Sequence, residues 1–175
     1  MFAYKLPIAA PPEIDFNKLT SFLGAHVIDK KTGDIGVLRS KATRDETAKI
    51  LRLIPRSLRH HCVGVSKSKI SSLSVHVHTE DICVVNFYVS VNGEETTFFT
   101  GEVCKIDADT ADNGNGYFFV DPEKLKPAQS FIATAGDVWA LDTQQPHAVM
   151  CRNKAQRYVV QVYFDLPLTE VISRF

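Results

Sequence analysis

The sequence predicts a mainly β protein, a sandwich or jelly roll with helices packed outside it. Three observations carry this. After His61, short segments rich in β-branched and aromatic residues follow one another, beginning with "HCVGVSKSKI", "SLSVHVH", "ICVVNFYVSV" and "ETTFFTGEVCKI". Turn formers separate many of the segments: Asn92-Gly93, Gly136 and "TQQPH". Helical patterning lies before residue 61, with little helix expected after it.

The elements read in order as follows. Pro11 and Pro12 close a short leader, and "DFNKLTSFLG" reads as a short helix ended by Gly24. Gly33 and Gly36 mark turns around a strand near Ile35 to Leu38. "TRDETAKILRLI" opens with Thr43 three residues before Glu46, the spacing at which two side chains cap each other's backbone amides. Ala48, Leu51 and Ile54 supply its expected apolar face. Pro55 should stop it, with Arg52, Arg56 and Arg59 on the polar side. Asn92-Gly93 predicts a hairpin between the strands that flank it. "DADTADNGNG" reads as a hairpin tip. It is not a calcium loop, because Asp112 stands where the sharp-turn glycine belongs and Phe118 where the closing glutamate belongs. "YFFV", "SFIATA", "DVWALD", "HAVMC" and "RYVVQVYF" complete at least eight strands.

The chain of 175 residues is expected to be one domain over 1–175, with 1–60 as helical support and first strands and 61–165 as the β core. Its 20 basic and 20 acidic residues balance, so total charge selects no nucleic acid or membrane partner. The distribution is uneven. No acid lies between Glu46 and Glu80, while Lys49, Arg52, Arg56, Arg59, Lys67 and Lys69 do, which points weakly to an anionic or macromolecular substrate, nucleic acid included. Cys62, Cys83, Cys104 and Cys151 form no C-x-x-C pair, arguing against a zinc knuckle or redox motif. With no secretory pattern and no apolar run of membrane-spanning length, a cytoplasmic protein with reduced thiols and no membrane partner is expected.

The chemistry concentrates in "SVHVHTED". Residues two apart on a strand share a face, so His76, His78 and Glu80 point together if the strand runs that far. A distant imidazole, His147, follows Pro146 at the start of a later strand. Two imidazoles and a carboxylate on one side of an ion leave its other positions open, the arrangement of non-heme Fe(II) in oxygen chemistry. Arg157, ten positions beyond His147, offers a planar fork for a carboxylate.

"HVHTEDICVVNFYVSVNGEETTFF" followed by "GDVWALDTQQPHAVMCRNKAQRYVVQVYF" resembles the core of the Fe(II)/2-oxoglutarate-dependent oxygenases, over roughly residues 60–165. The resemblance implies a double-stranded β-helix with Fe(II) on His78, Glu80 and His147, and 2-oxoglutarate held by Arg157 with help from Asn86. It implies hydroxylation of a primary substrate with release of succinate and CO2. Most members carry aspartate where this chain has Glu80. His76 and Asp81 offer an alternative imidazole and carboxylate. His78 with Glu80 is preferred because His76-x-His78 leaves no carboxylate at the family spacing. Two other readings stand beside this one: a cupin-type metal-dependent enzyme, suggested by "HVH" and "GDVWALDTQQPHAVMCRN", and a metal-free jelly-roll binding protein.

Overall fold

A computed structural model describes residues 1–11, 14, 16, 27–28, 35–105, 117–150 and 157–175. The expected helix at 15–24, apart from Phe16, and the acidic loop at 107–116 lie outside these. The elements are β1 (Ala3–Lys5), β2 (Val27–Ile28), β3 (Ile35–Lys41), α1 (Arg44–Leu53), β4 (Cys62–Ile70), β5 (Leu73–His78), β6 (Cys83–Ser90), β7 (Glu95–Gly101), β8 (Tyr117–Phe119), β9 (Leu125–Ile132), β10 (Val138–Asp142), β11 (His147–Met150), β12 (Arg157–Phe164) and α2 (Leu168–Ile172).

The strands form two antiparallel sheets, one in the order β1-β10-β6-β12-β4-β3-β2 and the other β8-β5-β11-β7-β9. Within them the chain pairs from its outside inward: β4 with β12, β5 with β11, β6 with β10, and β7 with β9. A long antiparallel ribbon with alternate strands in alternate sheets, closed by β6–β12 and β11–β7 pairing, is a double-stranded β-helix. The fold class read from the sequence is therefore the one observed.

Burial explains why β6 and β12 read as near-continuous apolar runs. The outer face of the large sheet is covered: Val85, Phe87, Val160, Val162 and Phe164 pack with Ile50 and Ile54 of the α1 segment, Leu58, and Leu168 and Val171 of α2. The inner face looks toward the smaller sheet, so both faces of these strands leave water. Asn86 and Gln161 interrupt the runs and sit opposite each other in register.

α1 forms as expected. Thr43 Oγ1 accepts from the Glu46 amide at 3.2 Å, and Glu46 Oε2 accepts from the Thr43 amide at 2.8 Å. Glu46 Oε1 also pairs with Lys67 Nζ of β4 at 2.8 Å, tying the cap to the large sheet. The expected apolar face is rotated: Ala48 is exposed, and Ile50 and Ile54 carry the burial. Arg59 turns back to donate to the carbonyls of Ile54 and Arg52, which the end of the helix leaves open.

Two expectations change. Asn92-Gly93 does make a sharp turn, with Gly93 at φ +81°, but it joins strands of different sheets and forms no hairpin. β6 already has β10 and β12 as neighbours, and β7 has β11 and β9. The segment expected at "SFIATA" begins earlier, at Leu125, and contains Pro127 at a register shift opposite Phe99. β9 is the edge strand of its sheet, where a missing amide is tolerated.

Candidate metal centre

His76 and His78 lie two apart on β5 and share its inner face. His147, the first residue of β11, is the register partner of His76. Cross-strand partners project to the same side, so three imidazoles separated by up to 71 positions of sequence meet at one spot. A ring nitrogen of each lies within 4.8 Å of the others. The ring centroids are 4.1 Å apart for His76 and His147, 5.3 Å for His78 and His147, and 5.4 Å for His76 and His78. Phe98 of β7 stacks on the far side of His147 at 5.3 Å.

Each imidazole is oriented through Nδ1. His76 Nδ1 meets the Ser74 carbonyl at 2.9 Å and His147 Nδ1 the Gln145 carbonyl at 2.8 Å. A carbonyl can only accept, so both rings carry their proton on Nδ1 and their lone pair on Nε2. His78 Nδ1 contacts Asp81 Oδ2 at 3.3 Å. All three imidazoles are held below the ordinary histidine range, chiefly by burial. His147 repels His76 and His78 as a positive neighbour would, and Arg39 acts on both in the same sense. The Ser74 bond partly opposes this at His76. His147 itself falls to about 4, with Gln145 opposing and Arg157 adding to the depression. Neutral, buried, backbone-oriented imidazoles are the form in which histidine binds a divalent metal. The donor set fits such an ion.

Glu80 is not in this group. β5 ends at His78, and the strand alternation ends with it. The following turn is fastened to the β10–β11 loop: His78 N donates to Thr143 O at 3.0 Å, Thr143 Oγ1 to Asp81 O at 2.9 Å, and Gln144 Nε2 to Asp81 O at 2.7 Å. Those bonds set Asp81 against His78 and leave Glu80 exposed, on a separate cleft. The structure thus brings His78 and His147 together with His76 as the third nitrogen donor.

Arg157 and Asn86 line the same inter-sheet cavity as the imidazoles. Arg157 is 3% exposed, donates from Nη1 to Thr96 Oγ1 at 3.0 Å, and lies 5.3 Å over the Tyr88 ring. Its Nε is buried without a partner among the described residues. Asp137, two positions before Trp139, is paired with Lys5 at 2.7 Å. Asn86 Oδ1 accepts from Gln161 Nε2 at 3.1 Å. Gln161 Oε1 in turn accepts from Ser68 at 2.6 Å and Tyr163 at 3.2 Å. Arg39 of β3, which the sequence reading did not single out, also lines the cavity, and among the described residues no carboxylate does. The legible signal for this polar wall was the pair of amides, Asn86 and Gln161, inside otherwise apolar strands.

No family model matches the chain, and no curated protein matches it. Among solved structures it is similar to E. coli ycfD (18% identity, TM-score 0.49, covering 77% of this chain and 35% of that one). It is also similar to vicilin from Corylus avellana (14%, TM-score 0.40, 75% and 30%) and to a deletion mutant of Bacillus subtilis oxalate decarboxylase (12%, TM-score 0.40, 75% and 27%). The chain spans about a third of the length of these structures or less. The molecule's own topology and site define a double-stranded β-helix with a candidate three-histidine metal centre. No helix among the described residues is long and apolar enough to cross a membrane.

Proposed function

We propose that the protein is an Fe(II)-dependent oxygenase that uses 2-oxoglutarate as cosubstrate, with His76, His78 and His147 as metal ligands. The observation that carries this reading is the guanidinium of Arg157. It is buried in the cavity the imidazoles line, without an ion pair among the described residues. Burying such a charge unpaired costs several kcal/mol, on the order of what a paired anion restores. Three neutral imidazoles also leave both charges of a ferrous ion uncompensated. Metal and Arg157 together therefore call for a dianion that chelates at one end and ends in a carboxylate, as 2-oxoglutarate does.

In this reading Ser74 O and Gln145 O hold two imidazoles in the ligating tautomer, and Asp81 orients the third. Arg157, steadied by Thr96 and Tyr88, binds the distal carboxylate. Asn86 and Gln161 present amide groups along the cavity wall. Val37, Ile70, Leu73 and Val149 supply an apolar part of the cavity wall. Bound iron supplies the oxidation, in which 2-oxoglutarate, O2 and a C–H substrate give succinate, CO2 and the hydroxylated product. Anaerobic addition of Fe(II) and then 2-oxoglutarate should produce the weak visible charge-transfer band of the chelate, and admission of air should yield succinate. Absence of both refutes the assignment.

One observation favours a second reading. The cavity holds only about 30 Å³ of free space, room for water and not for a five-carbon diacid without side-chain movement. A cupin-type metal enzyme that needs no cosubstrate fits that volume. Metal binding without succinate formation would select it.

A further inference from the structure

A second, larger cleft of about 380 Å³ opens beside the metal cavity, between β3, the start of β4 and the turn after β5. Its size is that of a site for a small organic molecule. Two cations, Arg39 and Lys41, stand on one wall, two apart on β3 and so on one face. Two carboxylates, Glu80 and Asp81, line the same cleft from the β5–β6 turn. Opposite charges sharing a cleft normally pair. Here no ion pair links the two sets among the described residues. Arg39 instead lies over the Tyr163 ring at 5.6 Å, with Nε buried and unpartnered among the described residues.

The cleft is joined to the metal centre by its residues. Arg39 lines both spaces. Asp81 reaches His78. Tyr163, in the cleft, donates to Gln161, in the cavity, and accepts from Ser66 at 2.8 Å. A molecule held between Arg39 and Asp81 therefore lies against the candidate metal site.

We propose that this cleft binds a small zwitterion, a free α-amino acid, with its carboxylate on Arg39 and Lys41 and its ammonium on Glu80 and Asp81. As the identity of the oxygenase's primary substrate, this rests on the function proposed above; as a binding site, it does not. A mixed-charge ligand satisfies both walls at once, where a simple anion would leave Glu80 and Asp81 opposing it. The charge pattern also gives Glu80 a purpose in the position it occupies.

The test is calorimetric titration of the intact protein, with and without Fe(II), using each common α-amino acid and the N-acetyl and α-amide derivatives of any that binds. At least one should bind at millimolar concentration or below. Blocking either end should weaken it about tenfold or more, the worth of one charge-assisted contact, and Glu80→Gln and Lys41→Gln should do the same. Gly64→Leu should abolish binding without unfolding the protein, because a Cβ at Gly64 meets only Tyr163 Cδ2 at 3.7 Å while the longer side chain enters the cleft. Binding by no amino acid, or binding that survives both N-acetylation and Gly64→Leu, overturns the proposal. Succinate formation without amino-acid binding would sink this proposal alone, and amino-acid binding without succinate formation would sink the oxygenase reading alone.

Discussion

Acid should destabilise the metal-free protein well before its carboxylates protonate, and His147 allows the size to be worked out. In the unfolded chain this imidazole takes its proton near 6.5, but in the folded protein only near about 4, because burial opposes the charge. Between those values the unfolded state binds the extra proton, so stability falls as pH falls. The contribution is complete above 6.5 and is lost progressively down to about 4. A difference of about 2.5 at about 1.4 kcal/mol each gives a full loss of about 3 kcal/mol, of which about 2 kcal/mol is gone by about pH 5. His76 and His78 are displaced in the same direction and add to the loss. Domains of this kind are stable by about 5–15 kcal/mol, so the effect is large enough to measure. Urea unfolding with chelator present, at about pH 7.5 and about pH 5, should show it, and His147→Gln should lose about 2 kcal/mol less than wild type over that interval. Equal acid losses in the two proteins would refute the claim that His147 is buried and neutral.

Metal affinity should distinguish His76 from Glu80: His76→Ala should weaken Fe(II) binding by more than about a hundredfold, while Glu80→Ala leaves it within a few-fold, as read by competition against a chromophoric chelator. Arg157→Met should weaken 2-oxoglutarate binding about a hundredfold or more yet leave the metal-free protein equally or more resistant to urea, since it removes a buried unpaired charge. Thr43→Ala should cost about 1 kcal/mol through loss of the α1 cap, measured by urea midpoint, with no change in metal affinity.

Much of the fold was legible because it is written in local chemistry. Thr43 and Glu46 announce α1 by their spacing, and the apolar runs at β6 and β12 follow from burial on both faces. What the sequence concealed depends on pairing between distant strands. Asn92-Gly93 encodes a sharp turn, but whether that turn joins neighbours in one sheet or crosses to another is decided by β10, β11 and β12, none of them nearby in sequence. The apolar face of α1 was misplaced for a similar reason: the large sheet, not the helix, selects Ile50 over Ala48. His78, His147 and Arg157 were picked out by residue type and spacing and Asn86 by the family resemblance, whereas Arg39 gave no signal, because β3 enters the cavity only through its pairing with β4.

The position of Glu80 shows how one strand end can change a site's charge. Had β5 continued two residues further, the alternation that aligns His76 with His78 would have aligned Glu80 as well, and a metal bound there would have met a carboxylate. The bonds from Thr143 and Gln144 to Asp81 turn the chain away at that point. Among the described residues the cavity is then lined by three imidazoles and two arginines and by no acid. For an ion of charge +2, a neutral ligand set leaves charge compensation to the Asp81 carboxylate behind His78 and, for the most part, to exogenous ligands. Such a centre should hold its metal more weakly when empty of anions and more tightly once a dianion bridges the ion and Arg157. By linkage the dianion should in turn bind more tightly to the metal-loaded protein, by the same factor. Titrating Fe(II) with and without saturating 2-oxoglutarate measures that factor directly, and a ratio of one would show that ion and guanidinium do not share a ligand.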